Sequence, residues 1–156
     1  MPEGAWSLRT LWTAAMIRQS FHLDRFDWEI TIFYAVHGYY PDVILDELRR
    51  IGIRGKKLEN AEENLLSGEI NSGLAYVNNG EAVCVIGIAS SADQYMDSIV
   101  HEVMHLAKFI GKAEGLDPYG EEVCYMGGEI ARKMWPKSKM LTSECGCYTK
   151  RIDKVL

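Results

Sequence analysis

Apolar residues follow a strand-like pattern in three segments of the chain. The segment from Asp27 to Val36 alternates and is rich in β-branched and aromatic side chains, which predicts a half-buried strand. Gly73 to Asn78 and Glu81 to Ala89 flank Asn79-Gly80, a dipeptide that readily adopts positive φ angles. This arrangement predicts a hairpin with a type I′ turn. Because its second segment is almost continuously apolar, we expect that segment to be a central strand covered on both faces.

Other segments show the spacing of apolar residues that is typical of amphipathic helices. Ser91 and Gln94 have the spacing of a capping box, which predicts the start of the longest helix. Gly111 predicts its end. The predicted helices are Leu8 to Ser20, Asp42 to Ile51 after Pro41, Leu58 to Leu66, Ser91 to Gly111, and Asp117 to Trp135 before Pro136.

Together these elements predict an α+β fold in one small domain spanning residues 1–156. A short, mostly antiparallel sheet would pack against the Ser91–Gly111 helix and the helix that follows it. With 156 residues, of which 47% are hydrophobic, the chain can bury a core large enough to fold without disulfide bonds or a structural metal ion. Met1 and Met16 are both candidate translation starts, because the predicted strands and the chemically distinctive residues follow Met16.

Charge and composition narrow the classes of partner. A formal net charge of −5 argues against nucleic acid as the main partner, and the basic run from Arg49 to Lys57 is expected to be solvated surface. The apolar stretch from Ala5 to Ile17 is too short to cross a bilayer, so we expect no membrane association. Four cysteines are too few for a disulfide scaffold, and Cys145 and Cys147 are too close for a zinc knuckle. Reduced thiols and a cytoplasmic location are expected.

The chemically distinctive residues are His101-Glu102-Val103-Met104-His105. Histidines four residues apart on a helix share a face, so His101 and His105 can bind one zinc ion. The neighbouring Glu102 would reach a water molecule beside the metal as general base. The alternative is that these are ordinary, partly buried histidines beside a solvated glutamate. The paired spacing within an amphipathic helix favours the metal site.

A catalytic zinc ion usually has three protein ligands, so a third must be found. Because no histidine follows His105, we expect the third ligand to come from the acidic start of the next helix. Glu122 is the predicted ligand, because it shares a helical stripe with Met126 and Ile130. Glu121 remains the alternative.

Several further groups are candidates for supporting roles. Asp97 precedes His101 by one helical turn and would either accept a hydrogen bond from that imidazole or be a solvated acidic residue. The strand Leu74 to Asn78 is the candidate for pairing with an extended substrate. Three phenols are available to stabilise a developing oxyanion, but packing aromatics are the favoured interpretation of all three: Tyr76, Tyr119 and Tyr125.

Over residues 91–135 the chain resembles the glutamate-type zinc metallopeptidases, in which a second helix after HExxH donates a glutamate. The segment Glu122 to Gly127 is similar to the one that follows HExxH in ImmA/IrrE-type peptidases. Residues 71–78, 83–88 and 99–102 are similar to short uncharacterised proteins of phages and integrated elements. The resemblance implies a zincin-like fold, zinc ligands His101, His105 and Glu122, and a catalytic Glu102.

The expected function is therefore that of a zinc-dependent metallopeptidase acting on a protein or peptide. The alternative is a catalytically inactive zinc-binding or structural protein of a phage or mobile element. A regulator that cleaves a single partner is a third possibility. The identity of the substrate and the oligomeric state are left open by the sequence.

Overall fold

The computed structural model describes residues 16–67 and 73–142. These ranges contain four strands and four helices. The strands are β1 (Met16–Leu23), β2 (Trp28–Ala35), β3 (Leu74–Asn78) and β4 (Glu81–Ile86). The helices are α1 (Pro41–Arg50), α2 (Gly55–Leu66), α3 (Ala92–Ala113) and α4 (Glu121–Ser138).

The strands form one mixed sheet in the order β1-β2-β4-β3. β1 and β2 are antiparallel, β2 and β4 are parallel, and β3 and β4 form an antiparallel hairpin. Asn79 and Gly80 have φ angles of 48° and 79°, which confirms the predicted turn. β4 lies inside the sheet, as its apolar sequence predicted.

Helices cover both faces of the sheet. Phe33 and Val85 point to one face and pack with Ile44 and Leu48 of α1. Residues one position away along the strands point to the other face, because successive side chains of a strand alternate. They pack against α3 and α4 in a second core that includes Ile32, Cys84, Ile86, Leu106, Ile110, Met126 and Ile130. The fold is therefore α+β with a mixed sheet, and the predicted packing of the HExxH helix and its successor on that sheet is confirmed.

β1 replaces part of a predicted helix. The sequence predicted a helix from Leu8 to Ser20, but residues 16–20 belong to β1, so this part of the prediction is wrong. β1 pairs with β2 over its whole length, from Met16 opposite Ala35 to Leu23 opposite Trp28. That pairing satisfies the backbone and overrides the local helical preference. Residues 8–15 lie outside the described ranges.

The start of α3 was predicted correctly, but its predicted capping box is wrong. Gln94 Oε1 accepts hydrogen bonds from the backbone N–H and the hydroxyl of Ser90, at 3.2 and 2.7 Å. The Ser91 hydroxyl donates to Asp93 Oδ1 at 2.6 Å instead of capping a backbone amide. The helix also continues past Gly111, and the chain reverses at Gly115, which has a φ of 70°.

α4 is displaced along the chain from its predicted position. Asp117 does not start the helix, because its Oδ1 accepts a hydrogen bond from the Tyr119 N–H within a turn, and the helix begins at Glu121. It also includes Pro136 in its last turn instead of ending before it. Because of this Asp117–Tyr119 turn, α4 begins about four residues, or one helical turn, later in the sequence than predicted.

Two further predictions concern thiols and membranes. Cys84 is a buried free thiol and Cys124 an exposed one, whereas Cys145 and Cys147 lie outside the described residues. None of the helices in the described ranges combines the length and the apolar character that crossing a bilayer requires.

Candidate metal centre

His101 and His105 lie on successive turns of α3 with their rings close together. Their Nε2 atoms are 3.1 Å apart, and the rings meet edge to face with centroids 4.7 Å apart. Two nitrogens at the usual distance from a tetrahedral zinc ion are about 3.3 Å from each other. The spacing of the two imidazole nitrogens therefore matches that of two ligands of one zinc ion.

Glu102 points in a different direction from the histidines, toward the sheet. It is only 6% exposed. A Cβ atom built on Gly73 would lie 2.4 Å from Glu102 Oε1 and 2.7 Å from the carbonyl oxygen of Val85, so the carboxyl group lies against the β3–β4 hairpin. Among the described residues, Oε2 is the one buried side-chain oxygen without a hydrogen-bond partner. Such an orphaned oxygen is unusual in a folded core, and a catalytic role is one of its explanations.

The pKa values of Glu102 and His105 shift in opposite directions. Burial raises the pKa of the Glu102 carboxyl, and the charge of His101 partly opposes this. Burial lowers the pKa of His105, and the positive charges of His101 and Lys108 lower it further. A neutral imidazole is the form that binds metal. His105 also stacks on Phe109, with ring centroids 5.5 Å apart, which restrains its ring.

α4 packs on the side of α3 that faces away from the histidines. A Cβ atom built on Gly127 would lie 3.8 Å from Ala107 Cβ and 3.9 Å from Val103 Cγ1, so these two residues mark the interface. Side chains two positions apart on a helix point about 160° from each other. His101 and His105 therefore point away from α4.

Glu122 lies beside the end of α3. Its neighbour Val123 packs against Gly111, which is about 9 Å along the helix axis from His105. The Glu122 side chain is 53% exposed, and its Oε1 forms an ion pair with Arg25 at 3.9 Å.

The structure brings together His101 and His105, whereas Glu102 points toward the sheet and neither Glu122 nor the exposed Glu121 lies with the histidines. In residues 16–67 and 73–142, no three His, Cys, Asp or Glu side chains are grouped so that they could hold a metal ion. The role of Glu122 as third ligand stays a prediction.

The other predicted groups are distributed around the site. Asp97 is exposed, and no hydrogen bond joins it to His101. Tyr119 and Tyr125 are 95% and 64% exposed, whereas Tyr76 packs partly against the core. β3 is an edge strand, since within the described sheet it pairs only with β4, as substrate pairing would require.

Sequence reasoning missed two residues that shape the centre. Phe109 continues the four-residue spacing of His101 and His105, so helical periodicity could have identified it. Gly73 carried no local signal. Its role arises from the close approach of Glu102, which is 29 positions away in the sequence.

Comparison with known proteins assigns no family to the chain. No family model, curated protein or solved structure matches it. The functional interpretation consequently depends on the geometry of the site.

Proposed function

We propose that this protein is a zinc-dependent metallopeptidase with a zincin-like site, in which His101 and His105 bind the metal and Glu102 is the general base. One observation carries the proposal: the two Nε2 atoms are 3.1 Å apart beside a buried carboxyl group. The Oε2 atom of that group has no hydrogen-bond partner in the described part of the chain. Imidazoles on successive helical turns supply two zinc ligands in HExxH peptidases, and the glutamate between them is the general base.

Each protein group has a defined part in the proposed hydrolysis. When bound, zinc would supply Lewis acidity to polarise the scissile carbonyl group. Glu102 takes one proton from the attacking water and delivers it to the leaving amine, so the carboxylate is regenerated as the C–N bond breaks. Gly73 leaves the space in which the carboxyl group lies.

The proposed substrate is a protein or peptide in an extended conformation. β3 is an edge strand next to α3, and an extended chain can pair with such an edge through backbone hydrogen bonds. Glu122 is the proposed third ligand, which requires that it leave its ion pair with Arg25 and that α4 move toward the histidine side of α3. The proposed location is the cytoplasm, where free thiols such as Cys84 and Cys124 remain reduced.

Metal analysis of the full-length protein tests the proposal. We expect about one zinc ion per chain in the wild type. The variants His101→Ala and His105→Ala should lose zinc, whereas Glu102→Gln should retain it. His22→Ala is the matched control, because His22 interacts with Glu29 on the β1–β2 hairpin and should not affect zinc content. A wild-type protein that binds no zinc after purification and incubation with zinc would refute the proposal.

Turnover is tested separately from zinc binding. The wild type should cleave an unstructured polypeptide, and Glu102→Gln should be at least about a hundredfold slower while it still holds zinc. Equal rates for the two proteins would exclude Glu102 as the general base.

A second candidate function is a zinc-binding or structural protein without turnover. One observation favours it: the described residues provide no third ligand next to His101 and His105. In that case the two histidine variants would lose zinc, but no polypeptide would be cleaved by the wild type.

A further inference from the structure

A pocket of about 530 Å³ opens at the edge of the sheet beside the histidine pair. Its walls come from β3 (Ala75, Tyr76 and Val77), from α3 (Phe109, Lys112 and Ala113) and from α2 (Lys57). Phe109 both lines this pocket and stacks on His105. The pocket and the candidate metal centre therefore share Phe109 on α3.

The floor of the pocket is the open edge of β3. In a two-residue hairpin, the residues next to the turn exchange both backbone hydrogen bonds. Asn78 and Glu81 are such a pair, so by alternation Ala75 and Val77 direct their N–H and C=O groups away from β4. Backbone groups that can pair with an added strand are thus directed into the pocket.

Two lysines approach this edge from opposite faces of the sheet. Ala75 and Val77 pack toward the core on the α3 side, where Lys112 lies, whereas Tyr76 packs toward the core on the α2 side, where Lys57 lies. Both lysines are exposed, and neither forms an ion pair with any described residue. In a chain with a net charge of −5, two lysines without an ion pair to any described residue therefore line the same pocket at the sheet edge.

We propose that the edge of β3 binds an extended peptide with two consecutive acidic residues, one carboxylate beside Lys112 and the next beside Lys57. Successive side chains of an added strand point to opposite faces, so consecutive residues reach the two lysines. Lys112 follows His105 by seven helical positions, or about 10 Å, which corresponds to about three residues of extended peptide. The inference rests on the proposed function, because it places the acidic pair of the substrate about three residues from the bond that the peptidase would cleave.

Peptide binding tests this inference without turnover. Full-length Glu102→Gln protein, without added metal, is titrated with short fluorescent peptides that share a strand-forming sequence. Their central residues are Glu-Glu, Gln-Gln, Lys-Lys or Glu-Thr-Glu. The Glu-Thr-Glu peptide has the same charge as the Glu-Glu peptide, but both of its carboxylates lie on one face of an extended strand. We expect the Glu-Glu peptide to bind most tightly.

Charge-reversal variants locate the binding site. Lys57→Glu and Lys112→Glu should each weaken binding of the Glu-Glu peptide about tenfold and improve binding of the Lys-Lys peptide. The matched controls are Lys56→Glu, since Lys56 pairs with Glu59, and Lys108→Glu, since Lys108 lies on the side of α3 that faces the groove with α4. Both controls change the net charge by the same amount and should change binding much less.

Three results would overturn the inference: equal binding of the Glu-Glu and Glu-Thr-Glu peptides, equal losses in the Lys56 and Lys57 variants, or tighter binding of a single-stranded oligonucleotide than of any peptide. Failure of the proposed function appears differently. A wild-type protein that binds the Glu-Glu peptide but cleaves nothing with zinc present would refute the peptidase function and support the acidic-peptide site. Cleavage without a preference for acidic residues would support the peptidase function and refute the acidic-peptide site.

Discussion

The carboxyl group of Glu102 occupies the space that a side chain at position 73 would need. A Cβ atom on Gly73 would lie 2.4 Å from Glu102 Oε1 and 2.7 Å from the Val85 carbonyl oxygen. The glutamate could rotate away, but the backbone carbonyl could not move without disturbing the β3–β4 pairing. Gly73 and Glu102 are thus coupled by packing, although they are distant in the sequence.

Gly73→Ala should therefore impair both folding and the proposed chemistry. We expect a loss of about 1–3 kcal/mol in the free energy of unfolding, the usual effect of overpacking, together with a lower peptidase rate. Denaturant titration and the cleavage assay measure the two effects. Gly38→Ala is the control, since nothing lies within 4 Å of a Cβ atom at that position. Wild-type stability and rate in Gly73→Ala would show that Glu102 does not need this space.

Replacing Glu102 by glutamine should stabilise the metal-free protein. Glu102 is buried and forms no ion pair with any residue that the structure describes, and a neutral amide of the same shape is easier to bury than a carboxylate. We expect a gain of about 1 kcal/mol in the free energy of unfolding, measured by urea titration with a chelator present.

Glu47→Gln is the matched control for that substitution. Glu47 is also buried, but its Oε1 lies 2.6 Å from Arg50 Nη2 and its Oε2 lies 3.4 Å from Arg18 Nη2. Losing these ion pairs should destabilise the protein, so the two glutamine substitutions should have opposite signs. Destabilisation by both would mean that Glu102 has a stabilising partner in the native state.

The ion pair between Glu122 and Arg25 provides a test of the third ligand. If Glu122 binds zinc, it must break this 3.9 Å contact, so Glu122→Ala should weaken zinc binding while Arg25→Ala preserves or strengthens it. Glu121→Ala should have no effect. Zinc affinity is measured by competition with a chromophoric chelator. Unchanged zinc affinity in Glu122→Ala would eliminate Glu122 as the ligand. A loss of zinc affinity in Glu121→Ala would identify Glu121 as the ligand instead.

Glycines in the two packed helices should respond differently to alanine. A Cβ atom on Gly128 meets nothing within 4 Å, so Gly128→Ala should stabilise α4 by up to about 1 kcal/mol through helix propensity. A Cβ atom on Gly111 would lie 3.1 Å from Val123 Cγ2, so Gly111→Ala should gain less or lose stability. Thermal unfolding compares the two variants. Equal stabilisation of Gly111→Ala and Gly128→Ala would show that the contact between Gly111 and Val123 is looser than described.

The sequence alone predicted the elements whose signals are local. Asn79-Gly80 predicted its hairpin because positive φ angles are intrinsic to that dipeptide, and the apolar run of β4 predicted its central position. The spacing of His101 and His105 predicted that their rings would meet, because side chains four positions apart share a helical face. These features depend on chain geometry over a few residues.

Only the tertiary structure decided the features that depend on distant segments. β1 is a strand because β2 pairs with it, against a local preference for helix. Gly73 matters because Glu102 packs against it, and Lys57 and Lys112 line one pocket because α2 and α3 lie on opposite faces of the same sheet edge. The direction of Glu122 depends on which side of α3 receives α4, and packing between the helices sets that side. Local periodicity states which residues share a face, but not which neighbour that face will meet.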